Sequence, residues 1–218
     1  MIASAVDVAK YFMKRGLDNE PGTQDGNIKL QKLLLFADLI SIAETGEPLF
    51  YDDIFAFKYG CVVENVRLKY SKDYQHFYEE SLSVQDFSQQ EQQVLDLTEK
   101  IFGKLQMKEL VELAHTFDFW KKKYVEANYG DGHVNTDLAK ISVEDLKKEI
   151  DRICDVIDCF KNSHHDFQKI EKVNGITFYY DSNFEMNDKV IEELEKFSLC
   201  ADETVYTVYQ EENKLVIY

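Results

Sequence analysis

The chain has 218 residues, of which 44% are hydrophobic, so it can form one large domain or one domain with an appended module. Its formal charge of −16 at pH 7 argues against broad nucleic-acid binding and against docking on anionic lipid, because like charges repel. No stretch approaches the ~20 apolar residues that span a bilayer, and the N-terminus lacks the apolar run of a signal peptide. We therefore expect a soluble, acidic, cytoplasmic protein.

The first half of the chain is dominated by one long predicted helix. A short amphipathic helix over Ile2–Lys14 and a polar loop from Gly16 to Gly26 precede it. Asn27 is predicted as its N-cap, and Gly46 with Pro48 as its end. Apolar side chains cover most of its circumference, so we expect this helix at the centre of the fold. They are Ile28, Leu30, Leu33, Leu34, Leu35, Phe36, Ala37, Leu39, Ile40, Ile42 and Ala43.

An aromatic segment follows the central helix and ends in the tripeptide Lys58-Tyr59-Gly60. Its aromatic residues are Phe50, Tyr51, Phe55, Phe57 and Tyr59. Four further helices are predicted from apolar periodicity, from a capping box at Ser88 and from a cap at Ser142. They cover Val62–Glu80, Ser88–Phe102, Met107–Thr116 and Val143–Asn162, and a turn-rich loop is predicted over Asn128–Asn135.

The last fifty residues differ in pattern from the rest. Asn174-Gly175 lies between two short runs of strand-forming residues and predicts a hairpin with a type I′ turn. A helix over Asp188–Phe197, capped by Asn187, precedes a second hairpin formed by Thr204–Gln210 and Lys214–Tyr218. The predicted order is ββαββ. From Glu171 onward the chain has 11 acidic and 4 basic residues, a large share of the total negative charge.

These elements predict a mainly α protein: a compact bundle of about six helices with a small C-terminal α+β module. The predicted domains are residues 1–165 and residues 166–218.

Three ordered motifs in the first domain resemble the Panacea domain, the SocA-like antitoxin family. Family members typically read K-L-Q-K-L-L-Y-F/Y-A, then T-G-x-P-L-F, then W-K-Y-G-P-V. The matching residues here are Lys29–Leu34, Phe36, Ala37, Thr45, Gly46, Pro48, Leu49, Phe50, Lys58, Tyr59, Gly60 and Val62. Leu113-Ala114-His115 and Trp120-Lys121 are similar to a later L-T-H…P-W-K pattern. The resemblance spans roughly Ile2–Phe160, with departures at Phe57, Cys61, Ala114 and Phe119.

The resemblance implies an antitoxin of a toxin–antitoxin pair. Such a protein binds and masks a cognate toxin, or in some members presents it to a host protease. It needs no catalysis and no cofactor, and no direct nucleic-acid partner or membrane is expected.

A search for a catalytic site from the residues alone finds little. The sequence has no H-E-x-x-H, G-x-S-x-G or phosphate-binding P-loop motif. His164-His165-Asp166 could hold a surface metal only if adjacent side chains, which diverge on a helix, converged. Cys61 is either a nucleophile approached by a histidine or a small buried apolar residue, and we favour the second interpretation. His115 is interpreted as a structural histidine that ties the Trp120 region to the central helix.

The partner-binding surface is predicted on the aromatic segment, because aromatic anchors carry much of the energy of protein interfaces. The predicted residues are Phe50, Tyr51, Phe55, Phe57, Lys58, Tyr59 and Trp120. The alternative is that these aromatics only cover the core. Lys29 and Lys32 are expected to have structural roles, either in ion pairs with Asp52 or Asp53 or as caps of loop carbonyls.

The sequence is compatible with two other functions. One is a phage or mobile-element inhibitor of a host nucleic-acid-binding protein, in which acidic residues of the C-terminal module mimic phosphates. Those residues are Glu192, Glu193, Glu195, Asp202 and Glu203. The other is a hydrolase whose site is assembled across helices, which would require a bound metal or a perturbed histidine.

Overall fold

A computed structural model of the protein describes residues 3–84, 86–128, 134–163, 169–180, 184–211 and 214–217. Within these ranges the fold is mainly α, with eleven helices and two small sheets. The predicted bundle of about six helices is not confirmed in its details, since several of the eleven helices are only one to three turns long. The chain divides into two compact units, residues 1–157 and 158–218.

The first unit surrounds a small antiparallel sheet with helices. Its elements are α1 (Ala5–Lys14), α2 (Gln24–Thr45), β1 (Ile54–Phe57), β2 (Gly60–Val63), α3 (Glu64–Lys72), α4 (Tyr74–Ser81), α5 (Gln89–Phe102), α6 (Met107–His115), α7 (Asp118–Ala127), α8 (Thr136–Ala139), β3 (Lys140–Ile141) and α9 (Val143–Lys147). The following helix, α10 (Ile150–Ser163), runs across the boundary between the two units. The strand order in the sheet is β2-β1-β3.

The central position predicted for the long helix is confirmed. Helix α2 contacts α1, α3, α5, α6 and β2, and every residue from Lys29 to Ile42 is buried. The prediction of Asn27 as its N-cap is wrong: the helix begins earlier, and Thr23 is the cap, accepting a hydrogen bond from the Gly26 N–H at 3.0 Å. Gly46 ends the helix in the left-handed conformation, as predicted (φ +80°).

Two of the predicted helices are interrupted. The segment predicted as one helix over Val62–Glu80 begins with the end of β2 and then forms α3 and α4, because Asp73 leaves the helical conformation and caps the second helix. The helix predicted over Val143–Asn162 is divided into α9 and α10 by a turn at Lys148-Glu149. The caps themselves are confirmed: Ser88 and Ser142 each form the capping box of the following helix.

The second unit has the predicted ββαββ order after the end of α10. Its elements are β4 (Lys169–Val173), β5 (Ile176–Tyr180), α11 (Asp188–Ser198), β6 (Val205–Glu211) and β7 (Lys214–Ile217). The strand order is β4-β5-β6-β7, and α11 connects β5 to the parallel strand β6. Asn174 and Gly175 both have positive φ (50° and 87°), as a type I′ turn requires.

Some predictions lie outside the described residues. They concern His133 and most of the loop over 128–135, the pair His164-His165 with Asp166, and the Glu212-Asn213 part of the second hairpin turn. The predicted domain boundary at 165/166 stays a prediction.

Candidate partner-binding site at the β1–β2 turn

The end of the aromatic segment is a tight hairpin turn. Phe57 pairs with Gly60 across β1 and β2, which leaves Lys58 and Tyr59 at the tip. Both tip residues are exposed, with Tyr59 44% exposed. We refer to residues 57–60 as the β1–β2 turn.

Lys32 of the central helix lies directly beneath this turn. Its side chain is completely buried, and its Nζ donates a hydrogen bond to the Cys61 carbonyl at 2.9 Å. Gly60 has φ +96°, and a Cβ at this position would lie 2.7 Å from Lys32 Cε. Glycine is therefore required both by the backbone conformation and by the lysine beneath it. Burial lowers the pKa of Lys32 to about 8.

The other polar residues at the start of α2 also bind backbone groups. Gln31 Oε1 accepts a hydrogen bond from the Val63 N–H at 2.8 Å, and Lys29 Nζ donates to the Gly103 carbonyl at 2.9 Å. Of the two predicted roles for the lysines, capping of carbonyls is therefore correct. The ion pairs with Asp52 or Asp53 are wrong, because Asp53 pairs with Lys140 (2.7 Å) and Asp52 accepts from the Ala5 N–H (2.9 Å).

The turn is held from its other side by α6 and α7. Trp120 Nε1 donates to the Phe57 carbonyl at 2.9 Å, and the His115 ring stacks on Trp120 with ring centroids 3.9 Å apart. His115 also hydrogen-bonds to the backbone of Lys58, while burial and the nearby Lys32 ammonium lower the His115 pKa. The structural role predicted for His115 is confirmed, but its hydrogen bond goes to the turn instead of the central helix.

Asp38 positions the start of the aromatic segment. Its Oδ1 accepts from the Leu49 N–H at 2.8 Å, and the carboxyl group also accepts from the Phe50 N–H. Burial of Asp38 raises its pKa to about 7, since the charged form loses its hydration. Polar residues of α2 thus fix the backbone both where the aromatic segment begins and where it ends.

The predicted partner-binding residues fall into three groups. Phe50 and Trp120 are buried, 2% and 8% exposed, and pack in the core beneath the segment. Phe55 and Phe57 are half-buried and stack on each other with centroids 6.0 Å apart. Tyr51 (63% exposed), Lys58 and Tyr59 point outward. Their assignment to a partner interface stays a prediction.

A groove that the sequence did not reveal opens beside the turn. It has a volume of about 540 Å³ and lies between the start of α2, the β1–β2 turn and α3. Residues that shape it include Asn27, Gln31, Lys32, Lys58, Tyr59 and Arg67. The signal in the sequence was the pair Asn27 and Gln31, polar residues one turn apart near the start of the helix.

Catalytic interpretations gain no support in the described part of the chain. Cys61 is buried and burial raises the pKa of its thiol to about 12, so it is a small core residue, as we favoured, and not an activated nucleophile. No group of three or more His, Cys, Asp or Glu side chains that could hold a metal ion occurs among the described residues. In the same ranges, no helix is both long and apolar enough to cross a bilayer.

The fold and the turn define a helical domain whose buried polar residues hold one exposed hairpin turn in place. The model of the family "Antitoxin SocA-like, Panacea domain" matches residues 30–121 of the chain, which confirms the resemblance. The matched segment contains α2 from Leu30 onward, the β1–β2 turn, His115 and Trp120. This family is not a known enzyme family. Searches among curated proteins and among solved structures found no match.

Proposed function

We propose that this chain is the antitoxin of a toxin–antitoxin pair and neutralises its cognate toxin by direct binding. The observation that carries the proposal is the match of residues 30–121 to the SocA-like antitoxin family. The geometry agrees with it, because Lys32, Gln31 and Trp120 bind the protein's own backbone and leave Lys58 and Tyr59 at the tip of the turn exposed. This arrangement presents a surface to a partner.

The toxin-binding surface is placed on the outer side of the aromatic segment. Tyr51 and Tyr59 are exposed anchors, Phe55 and Phe57 add half-buried apolar area, and Lys58 adds a charge. Tyrosine is enriched among the residues that carry interface energy, because it offers a large amphipathic area with few rotatable bonds. Phe50 and Trp120 support the segment from beneath, since they are buried.

Neutralisation by masking is the simpler route, and presentation of the toxin to a host protease is the second. The acidic C-terminal module is residues 166–218 in the proposed division. It has two alternative roles, which are to select the partner or to stabilise the helical domain. The family match gives no support to the alternative of a phosphate-mimicking inhibitor.

Co-expression with the product of the adjacent open reading frame tests the proposal. We expect the neighbour to arrest growth when expressed alone. Addition of this chain should restore growth, and the two proteins should co-purify as a stable complex. A harmless neighbour that does not co-purify would contradict the pairing, and a pull-down from host lysate would then show whether any toxin binds.

A double variant, Phe55→Ala with Tyr59→Ala, tests the placement of the surface. Loss of two anchors should weaken toxin binding about 30-fold or more. The matched control is Leu82→Ala with Val125→Ala, which removes two apolar side chains that are 54% and 71% exposed elsewhere on the first unit. Wild-type affinity in a folded Phe55/Tyr59 variant would show that the surface is wrongly placed.

A further inference from the structure

The groove beside the β1–β2 turn has a charge opposite to that of the protein. The chain contains 41 acidic and 25 basic residues, yet the described residues that line the groove include Lys32, Lys58 and Arg67 and no acidic side chain. A cationic concavity on an anionic protein favours anionic groups over the remainder of the surface. The volume of about 540 Å³ lies within the range of ligand-binding pockets.

Lys32 is the unusual member of this set. It is fully buried, and among the described residues it forms no ion pair with a carboxylate; its one hydrogen bond goes to the Cys61 carbonyl. A buried ammonium without a counter-charge is energetically costly. Lys32 is part of the groove wall. An anion bound in the groove would therefore supply the missing negative charge for the Lys32 ammonium.

Other groups that line the groove add to its positive electrostatic potential. Lys58 is exposed at the tip of the turn and can reach a ligand directly. Thr23 and Gln24, at the N-terminal end of α2, also line the groove, and Asp25 in the same turn offsets the positive end of the helix dipole there. Arg67 contributes less, since Glu64 accepts two hydrogen bonds from its guanidinium, each 2.6 Å long. Lys32 and Lys58 are therefore the positive charges available to a bound anion.

We propose that the groove receives a carboxylate group of the toxin, either an acidic side chain or the C-terminal carboxylate, with Lys58 as its direct contact and Lys32 as the buried counter-charge. The identity of the partner rests on the proposed function. The chemistry of the groove does not, because it follows from the lining residues alone. Tyr59 lines the groove and is also one of the exposed aromatic residues, so one toxin segment can contact both.

The first test uses Trp120 as a reporter. It is the only tryptophan in the sequence, and its indole donates to the Phe57 carbonyl of the turn. Titration with glutarate should give a saturable change in fluorescence, and the neutral isostere glutaramide should give none. Lys58→Glu should weaken glutarate binding about tenfold or more, through loss of a charge-assisted hydrogen bond. Lys108→Glu, an equal change of charge at an exposed position of α6, should leave it unaltered.

Lys32→Met provides a second variant, similar in volume but without the charge. It should also weaken glutarate binding in a protein whose circular dichroism shows the native fold. If Lys32→Met does not fold, Lys58→Glu still decides the question, since Lys58 is exposed. An equal response to glutarate and glutaramide, or unchanged binding in Lys58→Glu, would overturn the carboxylate site.

The second test measures toxin binding by the same variants. Weaker binding by Lys58→Glu but not by Lys108→Glu supports the assignment. Glutarate binding that depends on Lys58, together with toxin binding that does not, would overturn the assignment to the toxin. Tighter binding of inorganic phosphate than of glutarate, without effect on the toxin, would show that the groove takes a free anion instead. Absence of any complex with the wild-type protein would contradict the proposed function and leave the titration as an independent test of the groove.

Discussion

The two units of this protein are stabilised by different kinds of contact. In the second unit the buried cluster consists of apolar and aromatic side chains. They are Val173, Ile176, Phe178, Tyr180, Leu194, Tyr206 and Val208. In the first unit an apolar core of the same kind surrounds buried polar residues on α2, namely Lys29, Gln31, Lys32 and Asp38, and each of these binds a backbone group of another segment.

The difference shows what the buried polar residues of α2 do in physical terms. Apart from Tyr206, whose hydroxyl accepts hydrogen bonds from the Asp202 and Glu203 N–H groups, the buried side chains of this cluster contribute mainly by volume and apolar area. A replacement of similar size at those positions should be tolerated. A polar residue of α2 contributes through one hydrogen bond of fixed geometry, so a replacement of the same size leaves a buried backbone group without a partner. Four predictions test this comparison, from the largest expected effect to the smallest.

The largest effect concerns the pH dependence of stability through Asp38. Its carboxyl has an ordinary pKa of 3.8 and a folded pKa of about 7. Between these values the folded protein holds the proton more tightly than the unfolded chain, so its contribution to the free energy of unfolding falls as pH rises from about 4 to about 7. The loss amounts to as much as about 4 kcal/mol.

Denaturant unfolding of wild type and Asp38→Asn at several pH values measures this effect, because asparagine keeps the acceptor oxygen but does not titrate. The wild type should lose stability relative to the variant across the window. Parallel pH profiles of the two proteins would show that Asp38 does not carry a proton in the folded state near neutral pH.

The second prediction compares two glycines with positive φ in the first unit. Gly60→Ala should destabilise the protein by about 3 kcal/mol, since the added Cβ meets Lys32 as well as an unfavourable backbone conformation. Gly46→Ala has φ +80° but no heavy atom within 4 Å of the added Cβ, and should cost about 1 kcal/mol. Chemical denaturation measures both, and equal costs would mean that Lys32 does not constrain the turn.

The third prediction replaces Gln31 with methionine, which has a similar length but no acceptor oxygen. The Val63 N–H then has no partner in a buried position, and we expect a loss of about 2 kcal/mol. Amide hydrogen exchange should become faster at Val63 and stay unchanged at distant positions of α5. Unaltered exchange at Val63 would refute the role of Gln31 as an anchor of β2.

The smallest effect is expected for the matched change in the second unit. Leu194 is completely buried in the apolar cluster against the sheet. Leu194→Met conserves volume and removes no hydrogen bond, so it should cost about 1 kcal/mol or less. A loss as large as that of Gln31→Met, measured by the same unfolding experiment, would remove the distinction between the two units.

The second unit was the more predictable from sequence because its signals are local. The Asn174-Gly175 turn, the Asn187 cap and the strand-forming runs each lie within a few residues of the structure that they specify. What the sequence could not indicate was the parallel pairing of β5 with β6, because that contact joins segments about 28 residues apart.

In the first unit, periodicity predicted a buried central helix but not what its polar residues bind. Lys29 reaches a carbonyl 74 residues away and Gln31 an amide 32 residues away, and no local pattern specifies such partners. Strand β1 was missed because its aromatic residues also fitted a lid over the core, and β2 was missed because Val62 and Val63 were assigned to the following helix. The family resemblance singled out Lys29, Gln31 and Lys32 as motif residues, and the structure shows the backbone groups to which they hydrogen-bond.

The central claim is that the motif residues of α2, α6 and α7 hold the β1–β2 turn in place as the contact surface for a toxin. Hydrogen–deuterium exchange of this chain, alone and in complex with the co-purified toxin, tests it most directly. The claim predicts new protection concentrated at residues 50–60 and at the start of α2 beside the groove. Protection confined to the strands of the second unit, with unchanged exchange at the turn, would contradict it.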